Sequence, residues 1–173
     1  MRWVLRIVGA FVAIILSLAT IAGLQTPGFK IEASRVINAP PEVVFGMVAQ
    51  IKKWNEWSPW YEKDNTIQTT YSGPDSGTGA KSAWTSKKSG SGEMTFTEVE
   101  PARRVKFQLI FNDFNATNTG EITLEPTAGG TKVTWMMEGK NPFVGRFFWL
   151  LLRVEKDLKK DFNRGLELLS KKF

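Results

Sequence analysis

The sequence predicts an α+β architecture: a curved antiparallel sheet of about seven strands, two short helices after the first strand, and one long C-terminal helix packed on the sheet. A single transmembrane helix precedes this domain. Three patterns carry the expectation. An uncharged apolar run opens the chain, apolar residues then recur every second position, and they finally recur every third and fourth. The first alternation suits a strand with one buried face, and the second suits a helix that lays one stripe on a core.

Composition limits the function. The 173 residues are 42% apolar, enough for one domain with a buried core plus an appendage. The formal charge is +6, two units of which come from Arg2 and Arg6, and the rest is spread without long runs. Such a mild excess fits a place near an anionic surface. It lacks the concentrated patch of a nucleic-acid binder, so no nucleic-acid partner is expected. There is no cysteine and no histidine. That removes the thiol nucleophile, the commonest general base and the commonest metal ligand, so neither a metal nor a cofactor is expected. Acid–base work would fall to carboxylates, lysines and the two tyrosines.

Ile7 to Leu24 is an 18-residue stretch without charge. As a helix it reaches ~27 Å, about the hydrocarbon thickness. Residues 1–24 therefore read as an anchor. A cleaved signal peptide is the competing reading, but its apolar run is usually shorter, and Thr20-Ile21-Ala22 makes a poor cleavage site. Arg2 and Arg6 precede the span, so the positive-inside rule keeps the N-terminus cytoplasmic and puts the domain outside the cytoplasm, which is the periplasm if the source is a Gram-negative bacterium. Residues 25–28, with Pro27, form a linker, and the domain is residues 29–173.

Phe29 to Asn38 alternates as a strand. Strict alternation carries Arg35 onto the apolar face, where it either enters a cavity or is flipped outward by a bulge. Asn38-Ala39-Pro40-Pro41 turns into a short helix bearing Val43, Val44, Phe45, Met47 and Val48. Next, Trp54, Trp57 and Trp60 fall within seven residues, broken by Ser58-Pro59. Their rings serve either as core or as a wall facing a ligand. Strands follow at Ile67 to Tyr71, Ala80 to Ser86, Glu93 to Val99, Arg103 to Phe111, Ala116 to Glu125 and Lys132 to Glu138. Turns this short imply a meander of antiparallel neighbours. Inward phase falls to Trp84, Met94, Phe96, Val105, Phe107, Leu109, Phe111, Ile122, Leu124, Val133, Trp135 and Met137.

From Asn141 to Phe173 the period becomes helical, with Pro142 in the first turn. Phe147, Leu151, Val154, Leu158, Phe162, Gly165, Leu169 and Phe173 form the core stripe, and Arg153, Glu155, Lys156, Lys159, Lys160, Arg164 and Glu167 the wet face. Gly165 costs roughly 1 kcal/mol of helix propensity relative to Ala, which a large neighbour packed into its gap would explain. Phe148, Trp149, Leu150 and Leu152 exceed what one face requires. They read as deeper burial or as a patch facing a membrane or a cavity mouth, with Arg146 and Arg153 near headgroups.

Four stretches in this order resemble the SRPBCC superfamily, the START/Bet v 1-like helix-grip fold, and within it the polyketide cyclase/dehydrase-like branch. They are Ile37 to Phe45, Trp54 to Trp60 with its W-x-x-W-S-P-W element, Gly77 to Trp84 followed by Gly92-Glu93-Met94 and then Glu98-Val99-Glu100-Pro101, and Asp161 to Leu166. The resemblance covers Phe29 to Phe173. It implies a cavity between sheet and closing helix for a lipid, polyketide or other lipophilic small molecule. Candidate lining is Trp57 and Trp60 from the tryptophan turn, Tyr71, Trp84, Met94 and Phe96 from the first strands of the meander, and Phe107, Leu109 and Phe111 from the next. Trp135, Met137, Phe147 and Leu151 complete it. The expected function is a membrane-tethered carrier, with a cyclase- or dehydratase-like enzyme and a partner-binding adaptor with a filled core as alternatives. No catalytic constellation is visible. Glu98 could face inward as a raised-pKa acid, though a solvated strand-end carboxylate is the plainer reading, and Tyr71 could donate a phenol.

Overall fold

The structure is a computed structural model that describes residues 2–24, 27–141, 145–146, 149 and 151–173. Helix α1 (Arg2–Leu24) is long and apolar enough to cross a membrane, a property that a signal sequence shares, and it is not buried against the rest of the chain. The domain follows as β1 (Gly28–Ile37), α2 (Pro41–Val48), a 3-10 turn (Ile51–Glu56) and α3 (Pro59–Lys63). Then come β2 (Gln68–Ser72), β3 (Lys81–Ser86), β4 (Gly90–Glu100), β5 (Arg104–Phe111), a second 3-10 turn (Asn112–Phe114), β6 (Ala116–Thr127), β7 (Gly130–Lys140) and α4 (Val154–Ser170).

All seven strands join one antiparallel sheet in the order β1-β7-β6-β5-β4-β3-β2. Strands β2 to β7 form the meander that the short turns predict, and β1 pairs with β7 from Gly28 opposite Lys140 to Ile37 opposite Thr131. These registers sort the sheet into two ends. Gly28, Lys140, Ala116, Phe111, Gly90 and Ser86 share one end, and Ile37, Gly130, Thr127, Arg104 and Glu100 share the other. The second end is solid: Ile37, Val105, Leu124 and Val133 are buried there.

Helix α4 lies across the inner face of the sheet. Phe162, Gly165, Leu166 and Leu169 are buried, and Leu158 is half-buried. Gly165 has the large neighbour that its presence in the helix called for. A methyl built there would meet Trp135 at 2.7 Å and Pro59 at 3.0 Å. Glycine is thus what allows the helix to approach the indole. On the rim of the same contact Arg164 binds Glu62 of α3 and Glu167 of its own helix. These charge-assisted bonds hold the Arg164 guanidinium above its ordinary value, and Glu167, bound first by Lys171 at 2.7 Å and then by Arg164, has its carboxyl held down at about 2.

Two expectations need correction. The closing helix does not run unbroken from Asn141. Residues 152 and 153 form a turn in which Arg153 adopts φ 52°, and its carbonyl accepts the N–H groups of Lys156 and Asp157, so α4 starts at Val154. Ahead of the turn, Trp149 lies on Phe29 of β1 with ring centroids 4.4 Å apart. Leu and Arg both favour helix, so no local signal marked the break. Pro142 lies outside the described residues. The second correction concerns Arg35. It keeps the inward phase opposite Val133 with no register shift, yet it is exposed. Because β1 is an edge strand, the long side chain reaches water past the rim and needs neither a bulge nor a cavity.

The glycines of the two buried helices give opposite tests. Gly165→Ala should lower stability by about 1–2 kcal/mol, since overpacking outweighs the gain in helix propensity. Gly46→Ala in α2, where an added methyl meets nothing within 4 Å, should raise it by about 0.5–1 kcal/mol. Urea unfolding of the full chain in detergent, followed by tryptophan fluorescence, reads both signs.

Candidate ligand-binding site

A cavity of about 270 Å³ lies between the sheet, α3 and the start of α4. Its floor is aromatic. Trp135 of β7 stacks on Phe162 of α4, with centroids 4.5 Å apart and planes at 4°. Trp54 meets Phe107 edge-on at 5.1 Å and Trp135 at 5.7 Å, and Trp60 meets Trp135 at 5.6 Å. The sheet supplies a wall of Trp84, Met94, Leu109, Phe111 and Met137, and Leu158 of α4 closes the opposite side. The cavity therefore occupies the half of the grip towards the end where β1 begins, and the packed core occupies the other half.

The lining is not wholly apolar. Asn55, Ser58, Tyr61, Ser82 and Ser89 all belong to it. Ser58 is the N-cap residue of α3, yet its side chain makes no cap bond. Ser82, on the inward phase of β3 beside Trp84, is 6% exposed, and Ser58 is 4% exposed. Among the described residues neither hydroxyl has a hydrogen-bond partner, so each is free to meet a guest. The Tyr61 hydroxyl is engaged with Thr69 at 2.7 Å, and burial pushes its phenol up.

Asp64 stands behind Ser89. It is 2% exposed, and it accepts hydrogen bonds from Ser86 Oγ at 2.5 Å, Ser89 Oγ at 2.7 Å, and Thr66 Oγ1 and N at 2.6 and 3.0 Å. The hydroxyls, Ser86 foremost, hold its carboxyl well below the usual carboxylate range. Asp64 thus ties the end of α3 to the β3–β4 turn and fixes Ser89 at the cavity. Among the described residues no group of three or more His, Cys, Asp or Glu is placed to hold a metal ion.

The thirteen residues expected along the cavity divide. Trp60, Trp84, Met94, Phe107, Leu109, Phe111, Trp135 and Met137 line it. Trp57 and Phe96 are fully buried in the core behind it. Tyr71 sits off to the side: burial pushes its phenol up, and although Asn55 lies near, no hydrogen bond of good geometry reaches its shielded oxygen. Leu151 points to solvent and is 51% exposed, because the turn at Arg153 takes it off the stripe. Phe147 lies outside the described residues, as do Phe148 and Leu150. Glu98 is not an inward acid. The pairing of β4 with β5 shifts between Phe96 and Glu98, which turns Glu98 outward to Lys106 at 2.9 Å and Arg104 at 2.5 Å. Those cations lower its pKa. Ser82 could have been read from strand phase. Ser58, Asn55, Tyr61 and Ile67 depend on how the tryptophan turn folds back over the sheet.

The fold and chamber define a helix-grip protein with an internal apolar cavity. The chain belongs to the family described as polyketide cyclase / dehydrase and lipid transport, whose profile matches residues 28–173. Solved structures agree on the fold. A protein from Chromobacterium violaceum is 19% identical, with 82% of this chain and 94% of that one covered at a TM-score of 0.61. One from Nitrosospira multiformis is 16% identical, with 84% and 96% covered at 0.62. Ara h 8.0201 is 15% identical, with 83% and 96% covered at 0.58. No curated protein aligns significantly with the chain.

A carboxyl held low in the folded state stabilises fully above its unfolded value, near 4, and that stabilisation is lost as pH falls below it. Asp64→Asn should lower the urea midpoint at about pH 6 and shrink its further fall towards about pH 2.5. Paired urea titrations of parent and variant at the two pH values check this.

Proposed function

We propose that this protein is a membrane-tethered carrier for one compact lipophilic molecule with a polar handle. The observation that carries the reading is an apolar chamber lined by two hydroxyls, Ser58 and Ser82, that have no partner among the described residues. A dry cavity of about 150 Å³ holds benzene, so 270 Å³ suits a guest of about 10–15 non-hydrogen atoms. A two-ring molecule or a short acyl chain fits that volume, and a whole diacyl phospholipid does not. The family's description, which includes lipid transport, supports such a cargo. In this reading α1 stays attached as the anchor and the domain faces away from the cytoplasm, in keeping with Arg2 and Arg6 ahead of the span.

Binding is preferred over cyclase or dehydratase chemistry because none of the described lining residues is a carboxylate. Among the described lining residues the only group that titrates is the Tyr61 phenol, which is engaged with Thr69. An adaptor with a filled core is disfavoured by the chamber itself.

Titration of the full chain in lipid nanodiscs tests the proposal, with 2-naphthol and naphthalene as probes and empty nanodiscs as the partition blank. Both should quench tryptophan fluorescence saturably, and 2-naphthol should bind at least about tenfold tighter. Replacing both serines, Ser58→Ala with Ser82→Ala, should bring 2-naphthol to the affinity of naphthalene. Equal binding that ignores both substitutions would dismiss the polar handle, and no saturable binding of either probe would dismiss the carrier.

A further inference from the structure

Outside α1, six large apolar side chains stand exposed among the described residues, and three of them gather at one end of the sheet. Phe114, 81% exposed, tips the β5–β6 turn, and Leu151 and Leu152, 51% and 61% exposed, precede α4. The others, Val36, Val43 and Phe173, lie elsewhere. The shared end is the one at which the anchor joins. Gly28 pairs with Lys140, Asn118 with Gly139, and Ala116 with Phe111, so the β5–β6 turn and the start of β1 lie on the same edge. Trp149 rests on Phe29, and the Asn141 N–H donates to the Pro27 carbonyl at 2.7 Å, which ties the segment before α4 to the same place. From Leu24 to Gly28 the chain can span at most about 14 Å.

Charge at this end agrees. Lys87 and Lys88 sit on the β3–β4 turn, and Lys140 and Arg153 lie close to the anchor junction. All four are exposed. Against them stand Asp113, whose carboxylate accepts the Ser91 N–H at 2.7 Å, the exposed Glu138, and Glu155 and Asp157 in the first turn of α4, the last paired with Lys160 at 3.2 Å.

We infer that this end of the domain docks on the membrane that holds α1. Phe114 and the Leu151–Leu152 pair enter the boundary between headgroups and acyl chains, and the four cations lie against anionic headgroups. The cavity is in the same half of the grip, with Trp84, Phe111, Met137 and Leu158 on its walls. Cargo then passes between bilayer and chamber without crossing water. The docking rests on the reading of α1 as a retained anchor, and only the exchange of cargo rests on the carrier reading.

The chain has no cysteine, so single labelling sites are unambiguous. Phe114→Cys, Leu152→Cys and Ala128→Cys, the last on the turn at the opposite end, are labelled with NBD in the full chain. Each is reconstituted in vesicles of phosphatidylcholine and phosphatidylglycerol, with and without doxyl-labelled lipid. The probes at 114 and 152 should emit to the blue of the probe at 128 and be quenched at least about twofold by the doxyl lipid, while the probe at 128 is not. A probe at 114 as wet and as unquenched as that at 128 would overturn the docking, as would release of α1 from the vesicles by alkaline carbonate. Failure of naphthol binding would leave the docking result standing and remove only the exchange of cargo.

Discussion

Trp135 is the contact on which the rest of the domain depends. It projects from the middle of β7, stacks on Phe162, and meets Trp54, Trp57 and Trp60 edge-on. It fills the space above Gly165 that any larger residue would close. One indole therefore joins the sheet, the tryptophan turn, α3 and the closing helix. Aromatic pairs in offset-stacked and edge-to-face geometry each add about 0.5–1.5 kcal/mol beyond the area they bury. A rigid hub of this kind also leaves a gap where its rings end. The chamber begins at Trp135 and extends towards the end of the sheet at which β1 starts.

That division of labour runs through the molecule. At the far end, small and branched side chains such as Val105, Val133, Leu124 and Ile37 close the grip completely. At the near end Met94, Met137, Leu109 and Phe111 leave it open. Two unbranched thioethers in that wall suit a guest whose shape varies, since methionine repacks at low cost. Glycine contributes again: Gly92 faces Trp84 and Gly120 faces Phe107, and a methyl at either would meet the ring at 2.4 or 2.1 Å. The aromatic wall is seated on backbone at those two positions.

Much of this was legible in the sequence because period and packing agree. Alternation located every strand of the sheet, with the start of β4 extended back to Gly90, and the helical glycine announced its large neighbour. The unbroken closing helix failed where a local break overrides a regular period. A positive φ at Arg153 ended it within a sequence that favours helix, whereas the outward Glu98 was already the plainer reading of a strand-end carboxylate, and the shift of register between Phe96 and Glu98 supplies its reason. Which polar residues meet the cavity was legible only for Ser82, which lies on a strand. Ser58, Asn55 and Tyr61 depend on how a non-periodic turn folds back, and a turn of that kind leaves no repeating trace in sequence.

The central claim is that the chamber carries a small lipophile, and native mass spectrometry of the full chain, released gently from the membranes that produced it, tests this most directly. The account calls for a one-to-one adduct of about 130–220 Da, the mass of a guest with 10–15 non-hydrogen atoms, that is extracted into organic solvent. A chain that flies without adduct, and takes none up when offered 2-naphthol, would contradict it. The search would then turn to a protein partner.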